Sequence, residues 1–344
     1  MPTFSNPHFD DHEQVVFFHD KASGLKAIVA VHNTKLGPGC GGCRMWPYDN
    51  DEEALTDVLR LSKGMTYKSA VAGLPLGGGK AVIIGDPKKD KSPALFKAFG
   101  RFLNNLGGSY IVAEDVGITP DDIELIHSET EFVSGTKDSS GDPSPHTALG
   151  TFLGIKVAAK HQFGSEDLTG KIVAVQGVGH VGYYLCKHLH ESGAKLIVTD
   201  IDEQALQRVE QEFSATIVAT EDIYHQDCDI YAPCALGATL NEFTIPMLKA
   251  EIVAGCANNQ LATAEDGLRL QERGILYTPD YVINAGGIIN VALEVGDKDN
   301  YDETAISAKV EAIYTTLDTL FERAKTSGKT PAEVADIMAR ELIK

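Results

Sequence analysis

Three consecutive glycines precede a single lysine in the segment LPLGGGKAVIIGDP, at residues 74–87. A phosphate-binding P-loop has the pattern GxxxxGK[ST], in which backbone N–H groups cradle phosphate and the Ser/Thr hydroxyl binds Mg²⁺. Here Leu74 stands where the first glycine is required, and Ala81 stands where the hydroxyl is required. These two differences exclude a P-loop. The glycines are instead predicted to form a loop that brings a small substrate close to the amine of Lys80.

Two further segments, GMTYKSAVAG and AEDVG, also place a charged side chain among glycines and small residues. Lys68, Lys80 and Asp115 together would supply two cations and one carboxylate. Any one of them alone is more often a solvated surface residue. A lysine amine normally titrates near ~10.4, so an amine that acts as a base at neutral pH needs a neighbouring cation and a dry site. Lys68 is a candidate for that cation, and the group predicts acid–base chemistry.

The GxGxxG pattern of dinucleotide-binding proteins occurs twice. The first match contains Pro38 and is followed by CRMWP instead of a helix, so it is interpreted as a turn; its glycines are Gly37, Gly39 and Gly42. The second match follows the predicted strand KIVAVQ and opens the predicted helix VGYYLCKHLHESG; its glycines are Gly177, Gly179 and Gly182. This context predicts a tight turn with a pyrophosphate at the helix N-terminus, and the alternative is a turn without a ligand.

Asp200 ends the next predicted strand, KLIVTD. Its carboxylate could accept hydrogen bonds from both ribose hydroxyls and would repel a 2′-phosphate. No arginine lies beside it in TDIDEQ. The sequence therefore favours NAD over NADP.

The elements that would position these residues alternate between strands and helices after residue 146. Strands separated by helices are typical of a parallel, doubly wound sheet. The sequence predicts an α/β protein with a substrate-binding and catalytic domain over residues 1–146 and a Rossmann-type NAD-binding domain over residues 147–330. A final helix over residues 331–344 is predicted to pack back toward the first domain.

The composition excludes several classes of partner. The 344 residues carry a formal net charge of −19, which repels nucleic-acid phosphates, and no run of Lys or Arg offsets it. The longest apolar runs, such as residues 28–31 and 81–84, are too short to cross a bilayer. The first residues, MPTFSNPHFDDHEQ, lack the basic flank and apolar core of a signal peptide. Neither a nucleic acid nor a membrane is an expected partner, and the expected location is the cytoplasm.

The cysteines and histidines do not predict a metal site. Cys40 and Cys43 form a CxxC pair, but no second pair or HxxxH accompanies them. In a cytosolic chain such a pair is better explained as small packing residues. His127, His188 and His190 have no spacing to a second ligand, so they are interpreted as helix-surface residues.

Seven segments together resemble the amino acid dehydrogenases that act on leucine, valine and phenylalanine, which are relatives of the glutamate dehydrogenases. The segments are KLGPGCGGCRMWPY, LSKGMTYKSAVAGLPLGGGKAVIIGDP, YIVAEDVGITPDDI, DPSPHTALG, VAVQGVGHVGYYLC, APCALG and YVINAGGIINVA. The resemblance covers nearly the whole chain and is closest to the leucine dehydrogenases. It implies reversible NAD-dependent oxidative deamination of an L-amino acid to a 2-oxo acid and ammonia, in a homo-oligomer of two to eight subunits.

The resemblance also implies roles for residues at matching positions. Lys68 would bind the substrate carboxylate, Lys80 would activate the attacking water, and Asp115 would move protons to and from the substrate amine. Asn284 would help to fix the carboxylate and the nicotinamide. The other implied substrate contacts are Cys40, Gly41, Gly42, Met65, Ala113 and Val291. The implied cofactor contacts are Gly177, Val178, Gly179, His180, Val181, Gly182, Asp200, Cys234, Ala235 and Asn259.

The implied side-chain pocket includes Cys40, where glutamate-type relatives carry a lysine. An uncharged residue here would leave a distal carboxylate buried and unpaired, which is costly. Leucine, valine and isoleucine are therefore the expected substrates, with overlapping activity because one methylene is worth only ~1–3 kcal/mol. The alternatives are a phenylalanine-preferring enzyme of the same family, a hydroxy acid dehydrogenase, which would need a His–carboxylate pair, and a non-catalytic NAD-binding protein.

Overall fold

Each half of the chain is built around one β-sheet. The computed structural model describes residues 3–136, 142–296 and 303–344. The first unit comprises Met1–Gly141, Val291–Tyr301 and Ala339–Lys344, and the second comprises Asp142–Asn290 and Asp302–Met338. The α/β fold class predicted from the sequence is confirmed.

The first unit contains a five-stranded sheet and three helices. Its strands are β1 (Gln14–Asp20), β2 (Leu25–Asn33), β3 (Gly39–Trp46), β4 (Gly77–Ile84) and β5 (Tyr110–Glu114), and its helices are α1 (Asp51–Val71), α2 (Pro93–Leu103) and α3 (Pro120–His127). The order is β1-β2-β4-β3-β5. The pairs β1/β2 and β2/β4 are antiparallel, whereas β3 runs parallel to both β4 and β5.

Helix α1 covers one face of this sheet. Asn50 caps the helix by accepting a hydrogen bond from the Glu53 N–H. Three acidic residues in the first turn stabilise the helix by interacting with the positive end of its dipole. The buried residues of its inner face pack on β2 and β4, in a cluster of Leu55, Val58, Leu59, Ile28, Ala30 and Val82. Helices α2 and α3 pack their buried residues, such as Phe99 and Ile123, into the larger cluster on the opposite face.

Two glycine-rich segments are strands, and the sequence-based interpretation of them was wrong. The segment around Gly39 and Gly42 was predicted to be a turn, yet it lies in β3 between β4 and β5. The GGGK segment was predicted to be a loop, yet it begins β4. Glycine has a low strand propensity, but here the absence of a side chain is what allows the strands to pack. A Cβ at Gly41 would lie 2.0 Å from the carbonyl oxygen of Gly79.

The second unit contains a six-stranded sheet in which every pair is parallel. Its strands are β6 (Ile172–Gln176), β7 (Lys195–Thr199), β8 (Thr216–Ile217), β9 (Ile230–Pro233), β10 (Ile252–Val253) and β11 (Leu276–Tyr277). The order is β11-β10-β9-β6-β7-β8. The strand order reverses at β6, so the carboxyl end of β6 is the topological switch point at which nucleotides bind in such sheets.

The helices that follow the first unit's sheet are α4 (Ser144–Phe163), α5 (His180–Glu191), α6 (Glu203–Phe213), α7 (Glu265–Glu272), α8 (Asp280–Ile283), α9 (Gly286–Gly296), α10 (Glu303–Ser327) and α11 (Pro331–Leu342). Helices α5 and α11 match the helices predicted from the sequence. At the end of α11, Arg340 Nε donates a hydrogen bond of 2.8 Å to Tyr67 Oη in α1. Within the described residues, no helix is long and apolar enough to cross a membrane.

Candidate active site

Lys80 and Asp115 are in direct contact in the first unit. Lys80 is the fourth residue of β4, and its side chain is only 8% exposed. Asp115 follows the last residue of β5. The Lys80 Nζ lies 2.9 Å from Asp115 Oδ2. A buried lysine needs a partner because an unpaired ammonium loses its hydration, and the end of β5, which is separated from β4 by β3 in the sheet, supplies that partner.

The glycines around this pair allow the backbone and side chains to approach closely. A Cβ at Gly42 would lie 2.6 Å from the Cβ of Asp115, and a Cβ at Gly78 would lie 2.1 Å from the backbone nitrogen of Thr66 in α1. A Cβ at Gly79 would lie 2.4 Å from the Tyr110 ring. These positions therefore need glycine because of the space available. The glycines fix β4 against its neighbours, and the strand holds Lys80 in place.

Arg44, which the sequence reasoning did not single out, also contacts Asp115. Its Nε donates a hydrogen bond of 3.0 Å to Asp115 Oδ2. Its Nη1 donates a hydrogen bond of 3.0 Å to Asp57 Oδ2 in α1. The Tyr48 hydroxyl donates to the same oxygen of Asp57 at 2.6 Å. Strand side chains alternate between faces, so Arg44 lies on the same face of β3 as Gly42. That spacing could have indicated Arg44 if the segment had been predicted as a strand.

The charge of Asp115 is set by opposing effects. Burial raises the pKa of its carboxyl group, but the nearby Lys80 and Arg44 charges, with hydrogen bonds from Lys80 and the Val116 backbone, hold the pKa below its ordinary value. Asp115 is therefore a carboxylate near neutral pH. Lys80 is in contact with this anion. The predicted influence of a neighbouring cation on Lys80 stays a prediction.

The other predicted substrate residues of the first unit lie on the elements that surround this pair. Lys68 and Met65 are half-buried in α1, Cys40 is buried in β3, and Ala113 is half-buried in β5. The side chain of Met65 approaches β3, because its Cγ lies 3.1 Å from the position of a Cβ on Gly41. Val291, in α9, is half-buried and belongs to the same unit by the division of the chain.

The second GxGxxG match forms the turn between β6 and α5. Gly177 has φ +99°, a conformation that favours glycine, and its N–H donates to the Thr199 carbonyl. A Cβ at Gly182 would lie 2.1 Å from the Gly177 carbonyl oxygen, so this glycine is required for helix–strand packing. Gly179 is the N-cap of α5, and nothing lies within 4 Å of its Cβ position. The turn therefore leaves open space at a helix N-terminus.

Asp200 lies at the carboxyl end of β7 beside this turn. Its Oδ2 accepts a hydrogen bond from the Val178 N–H at 2.7 Å, and its Oδ1 accepts one from the Asp202 N–H at 3.0 Å. The carboxylate thus stabilises the glycine turn as well as being a candidate ribose ligand. Val178 is buried, His180 is exposed and Val181 is half-buried at the start of α5.

Asn284 is 97% buried in the second unit, at 3% exposure. Its Nδ2 donates to the Cys256 carbonyl at 3.1 Å and to Asn258 Oδ1 at 2.8 Å. Within the described residues its Oδ1 has no hydrogen-bond partner. A buried acceptor without a donor costs free energy, so this oxygen is suited to a ligand that donates a hydrogen bond.

The remaining predicted cofactor residues follow strands β9 and β10. Cys234 is half-buried and follows β9, while Ala235 is exposed directly after it. Asn259 is exposed with φ +51°, and its N–H donates to Asp280 Oδ2. All lie beyond the carboxyl ends of parallel strands, where open α/β sheets bind ligands. In the part of the chain that the structure describes, no group of three or more His, Cys, Asp or Glu residues could hold a metal ion.

Comparisons with known proteins identify the family. The model described as "Glu/Leu/Phe/Val dehydrogenase, dimerisation domain" matches residues 12–132, and the model described as "Glutamate/Leucine/Phenylalanine/Valine dehydrogenase" matches residues 140–206 and 196–343. The chain belongs to the Glu/Leu/Phe/Val dehydrogenase family. It is an L-amino acid dehydrogenase, and the resemblance stated from its motifs is confirmed.

Three relatives illustrate the similarity. The leucine dehydrogenase of Bacillus cereus is 57% identical over 336 residues, which cover 97% of this chain and 91% of the relative. The crystal structure of L-tryptophan dehydrogenase from Nostoc punctiforme has a TM-score of 0.86 at 49% identity, covering 97% and 96% of the two chains. The structure of hetero-hexameric glutamate dehydrogenase from Thermus thermophilus has a TM-score of 0.79 at 22% identity, covering 99% and 91%, and supports the fold alone.

Proposed function

We propose that this dehydrogenase catalyses the NAD-dependent, reversible oxidative deamination of branched-chain aliphatic L-amino acids, leucine, valine and isoleucine, to the 2-oxo acid and ammonia. The observation that carries the proposal is the buried contact between Lys80 and Asp115, an amine in β4 and a carboxylate that follows β5. The 57% identity to a leucine dehydrogenase over nearly the whole chain supports this substrate class.

Asp115 and Lys80 divide the proton transfers in this proposal. Asp115 accepts a proton from the substrate ammonium group, because Cα can lose a hydride only when the nitrogen lone pair can stabilise the resulting iminium ion. Lys80 accepts a proton from the water that adds to this ion and binds the new oxygen. Asp115 then returns its proton to the nitrogen. As the C–N bond breaks and the C=O bond forms, the hydroxyl proton of the intermediate passes to the departing ammonia, which is released as an ammonium ion, and Lys80 gives its proton to solvent. Lys68 holds the substrate carboxylate by charge-assisted hydrogen bonds.

The second unit fits a dinucleotide. NAD, when bound, supplies the acceptor for the hydride. The open N-terminus of α5 at Gly179 suits a pyrophosphate, and Asp200 suits unmodified ribose hydroxyls. The unpartnered Oδ1 of Asn284 suits a carboxamide N–H donor. A 2′-phosphate beside Asp200 would place two anions together, so NAD is proposed over NADP.

Cys40 supports an aliphatic substrate. It is fully buried in β3, and an uncharged side chain at this position gives no partner for the distal carboxylate of glutamate. A panel of L-amino acids tests the proposal by the absorbance of reduced nicotinamide at fixed NAD. We expect turnover with leucine, valine and isoleucine, and none with glutamate, D-leucine or lactate. A preference for phenylalanine or tryptophan would replace the substrate class, and no turnover with any amino acid would overturn the proposal.

We also propose that the chain forms a homo-oligomer, with an interface on its first unit. The match of residues 12–132 to a model described as a dimerisation domain supports this. Size-exclusion chromatography with light scattering gives the number of subunits, which we expect to lie between two and eight. A monomer at micromolar concentration would contradict the assembly.

A further inference from the structure

Asp115 is held by two cations that approach one of its oxygens. Its Oδ2 lies 2.9 Å from Lys80 Nζ and 3.0 Å from Arg44 Nε. The Arg44 guanidinium also contacts a second carboxylate, because its Nη1 lies 3.0 Å from Asp57 Oδ2. The same Asp57 oxygen accepts a 2.6 Å hydrogen bond from the Tyr48 hydroxyl. Tyr48, Asp57, Arg44 and Asp115 thus form one continuous hydrogen-bonded chain, termed here the Arg44 chain.

The Arg44 chain is fixed to the strands and helix of the first unit. Arg44 lies in β3 and its partner Asp57 lies in α1, so the Arg44 side chain connects a strand to a helix. Arg44 and Asp115 side chains are each 23% exposed, and the Asp57 side chain is 26% exposed. A guanidinium with two partners at fixed angles restricts the orientation of both carboxylates.

The two cations beside Asp115 differ in whether they keep their positive charge during the reaction. Under the proposed function, Lys80 changes its protonation during each turnover, so its attraction for Asp115 is lost whenever the amine is neutral. A guanidinium does not lose its proton in proteins. Arg44 is therefore the cation that remains when Lys80 has given up its charge.

We propose that Arg44 is a positioning residue for the reaction, which orients Asp115 throughout the cycle and favours its carboxylate form at the stage where Asp115 must accept the substrate proton, and that Asp57 and Tyr48 hold Arg44 in place. This inference rests on the proposed function, because it assumes that Asp115 exchanges protons with the substrate amine.

The groups that act on Asp115 come from all three neighbouring strands. Lys80 of β4 and Arg44 of β3 lower the pKa of its carboxyl group, as does the Val116 N–H. Cys43 of β3 and Tyr110 of β5 also lie close enough to interact with Asp115, but burial raises the pKa of each, so both are neutral near pH 7. Removal of the Arg44 charge therefore leaves Lys80 as the remaining cation among these groups, and the pKa of Asp115 rises.

The test compares Arg44→Gln, Arg44→Lys and Arg101→Gln with the unmodified enzyme. Arg101 is the matched control, because it also contacts a carboxylate in the first unit, Glu129 at 3.5 Å, and is 56% exposed. The first readout is carbon-13 NMR titration of the aspartate carboxyl groups without cofactor or substrate, with Asp115 assigned from Asp115→Asn. We expect the midpoint of the Asp115 signal to move to higher pH in Arg44→Gln and to stay in place in Arg101→Gln.

The second readout is kcat for leucine deamination as a function of pH. The acid limb should move to higher pH in Arg44→Gln, so that its loss of kcat is several times larger on the acid limb than on the alkaline plateau. Arg44→Lys keeps the charge and loses the second contact, so its limb should stay near that of the unmodified enzyme while kcat falls at every pH. Arg101→Gln should match the unmodified enzyme.

The outcomes separate this inference from the proposed function. If the unmodified enzyme deaminates leucine but the Asp115 midpoint and the acid limb stay unmoved in Arg44→Gln, Arg44 has no such role. If the unmodified enzyme deaminates no amino acid, the proposed function fails first, and the NMR midpoint alone reports whether Arg44 sets the charge of Asp115. Should Arg44→Gln not fold, Asp57→Asn replaces it, and an unchanged kcat in that variant would contradict the Arg44 chain.

Discussion

At the scale of single residues, Lys80 is the side chain on which the proposed chemistry depends most. Lys80→Ala removes the acceptor of the water proton, and general acid–base groups contribute about 10²–10⁴-fold. We therefore expect kcat for leucine to fall by at least about 10²-fold. The NAD dissociation constant should be unchanged, because the candidate nucleotide residues lie in the second unit. Stopped-flow absorbance and nicotinamide fluorescence quenching measure the two quantities.

One result would contradict the role of Lys80. Turnover within a few-fold of the unmodified enzyme would show that another group accepts the proton. The substitution also leaves Asp115 with one fewer cation, so the folding of Lys80→Ala is checked first. If the variant does not fold, its kcat does not report on proton transfer. Lys80→Met keeps the length of the side chain without its charge and should show the same loss of kcat.

Lys68 should affect substrate binding more than the chemical step. Lys68→Ala removes the proposed partner of the substrate carboxylate, and a hydrogen bond to a charged group is worth roughly 1.5–3 kcal/mol. We expect KM for leucine to rise about 10- to 100-fold, with a smaller change in kcat. Lys63→Ala is the matched control, because Lys63 also lies in α1 and contacts Asp10 at 2.8 Å. Equal effects of the two substitutions on KM would contradict the role of Lys68.

The residues that the sequence did not predict are those whose partners are far along the chain. Asp115 is 71 residues from Arg44, and Asp57 is 13 residues from it. Only the pairing of β3 with β5 and the packing of α1 on the sheet bring them together. Lys80 and Asp115 could be singled out because glycines flank them, but their 2.9 Å contact depends on strand order, which the residue pattern did not contain.

At the scale of the elements, glycines decide how α1 sits on β4. A Cβ at Gly78 would lie 2.1 Å from the Thr66 backbone nitrogen, so Gly78→Ala must push α1 away from the strand. Gly64, two residues earlier in α1, has nothing within 4 Å of its Cβ position. We expect Gly64→Ala to stabilise the protein by ~0.5–1 kcal/mol through helix propensity, and Gly78→Ala to lower both the melting temperature and kcat.

Differential scanning fluorimetry and leucine turnover measure the two glycine variants. The pair is informative because both substitutions add one methyl group, at Gly78 within the contact of β4 with α1 and at Gly64 on the exposed side of α1. If Gly78→Ala kept its melting temperature and kcat, the close packing at Gly78 would not hold α1 in position. If Gly64→Ala destabilised the protein, its open surroundings would be incorrect.

The elements also show where pattern-based prediction succeeds. Apolar side chains that recur at helical spacing indicate a helix, as at Leu55, Val58 and Leu59 in α1. Strand β3 was missed because its sequence GCGGCRMW contains three glycines, which have little intrinsic preference for a strand. The segment is a strand because it pairs with β4 on one side and β5 on the other, and this pairing is visible only in the three-dimensional structure.

At the scale of the whole molecule, pH acts on stability through charges that folding buries. The chain has a formal net charge of −19, so protonation of its many exposed carboxylates at acid pH relieves repulsion. His12 and His32 act in the opposite direction. Their rings pack at 4.8 Å between centroids, and both are buried beside α1, where His32 Nδ1 lies 2.8 Å from Thr66 Oγ1.

His32 makes folding more sensitive to acid. Burial, followed by the proximity of His12, lowers the pKa of His32 to about 4, although Asp10 opposes the change. The unfolded chain, with an ordinary pKa of 6.5, therefore binds a proton that the folded chain refuses until about pH 4. The contribution of His32 to the free energy of unfolding is intact above pH 6.5 and is lost as the pH falls toward 4.

His32→Gln should remove this dependence, because glutamine stays neutral over the range. Urea unfolding at about pH 7.5 and about pH 5 measures it, and the fluorescence of Trp46, the single tryptophan of the chain, reports on β3 in the first unit. We expect His32→Gln to lose less stability than the unmodified protein when the pH falls from about 7.5 to about 5. His19→Gln is the control, because His19 is exposed in β1. Its loss of stability between the two pH values should equal that of the unmodified protein. A loss of stability in His32→Gln that is equal at both pH values would show that the ring contributes only packing and its Thr66 hydrogen bond.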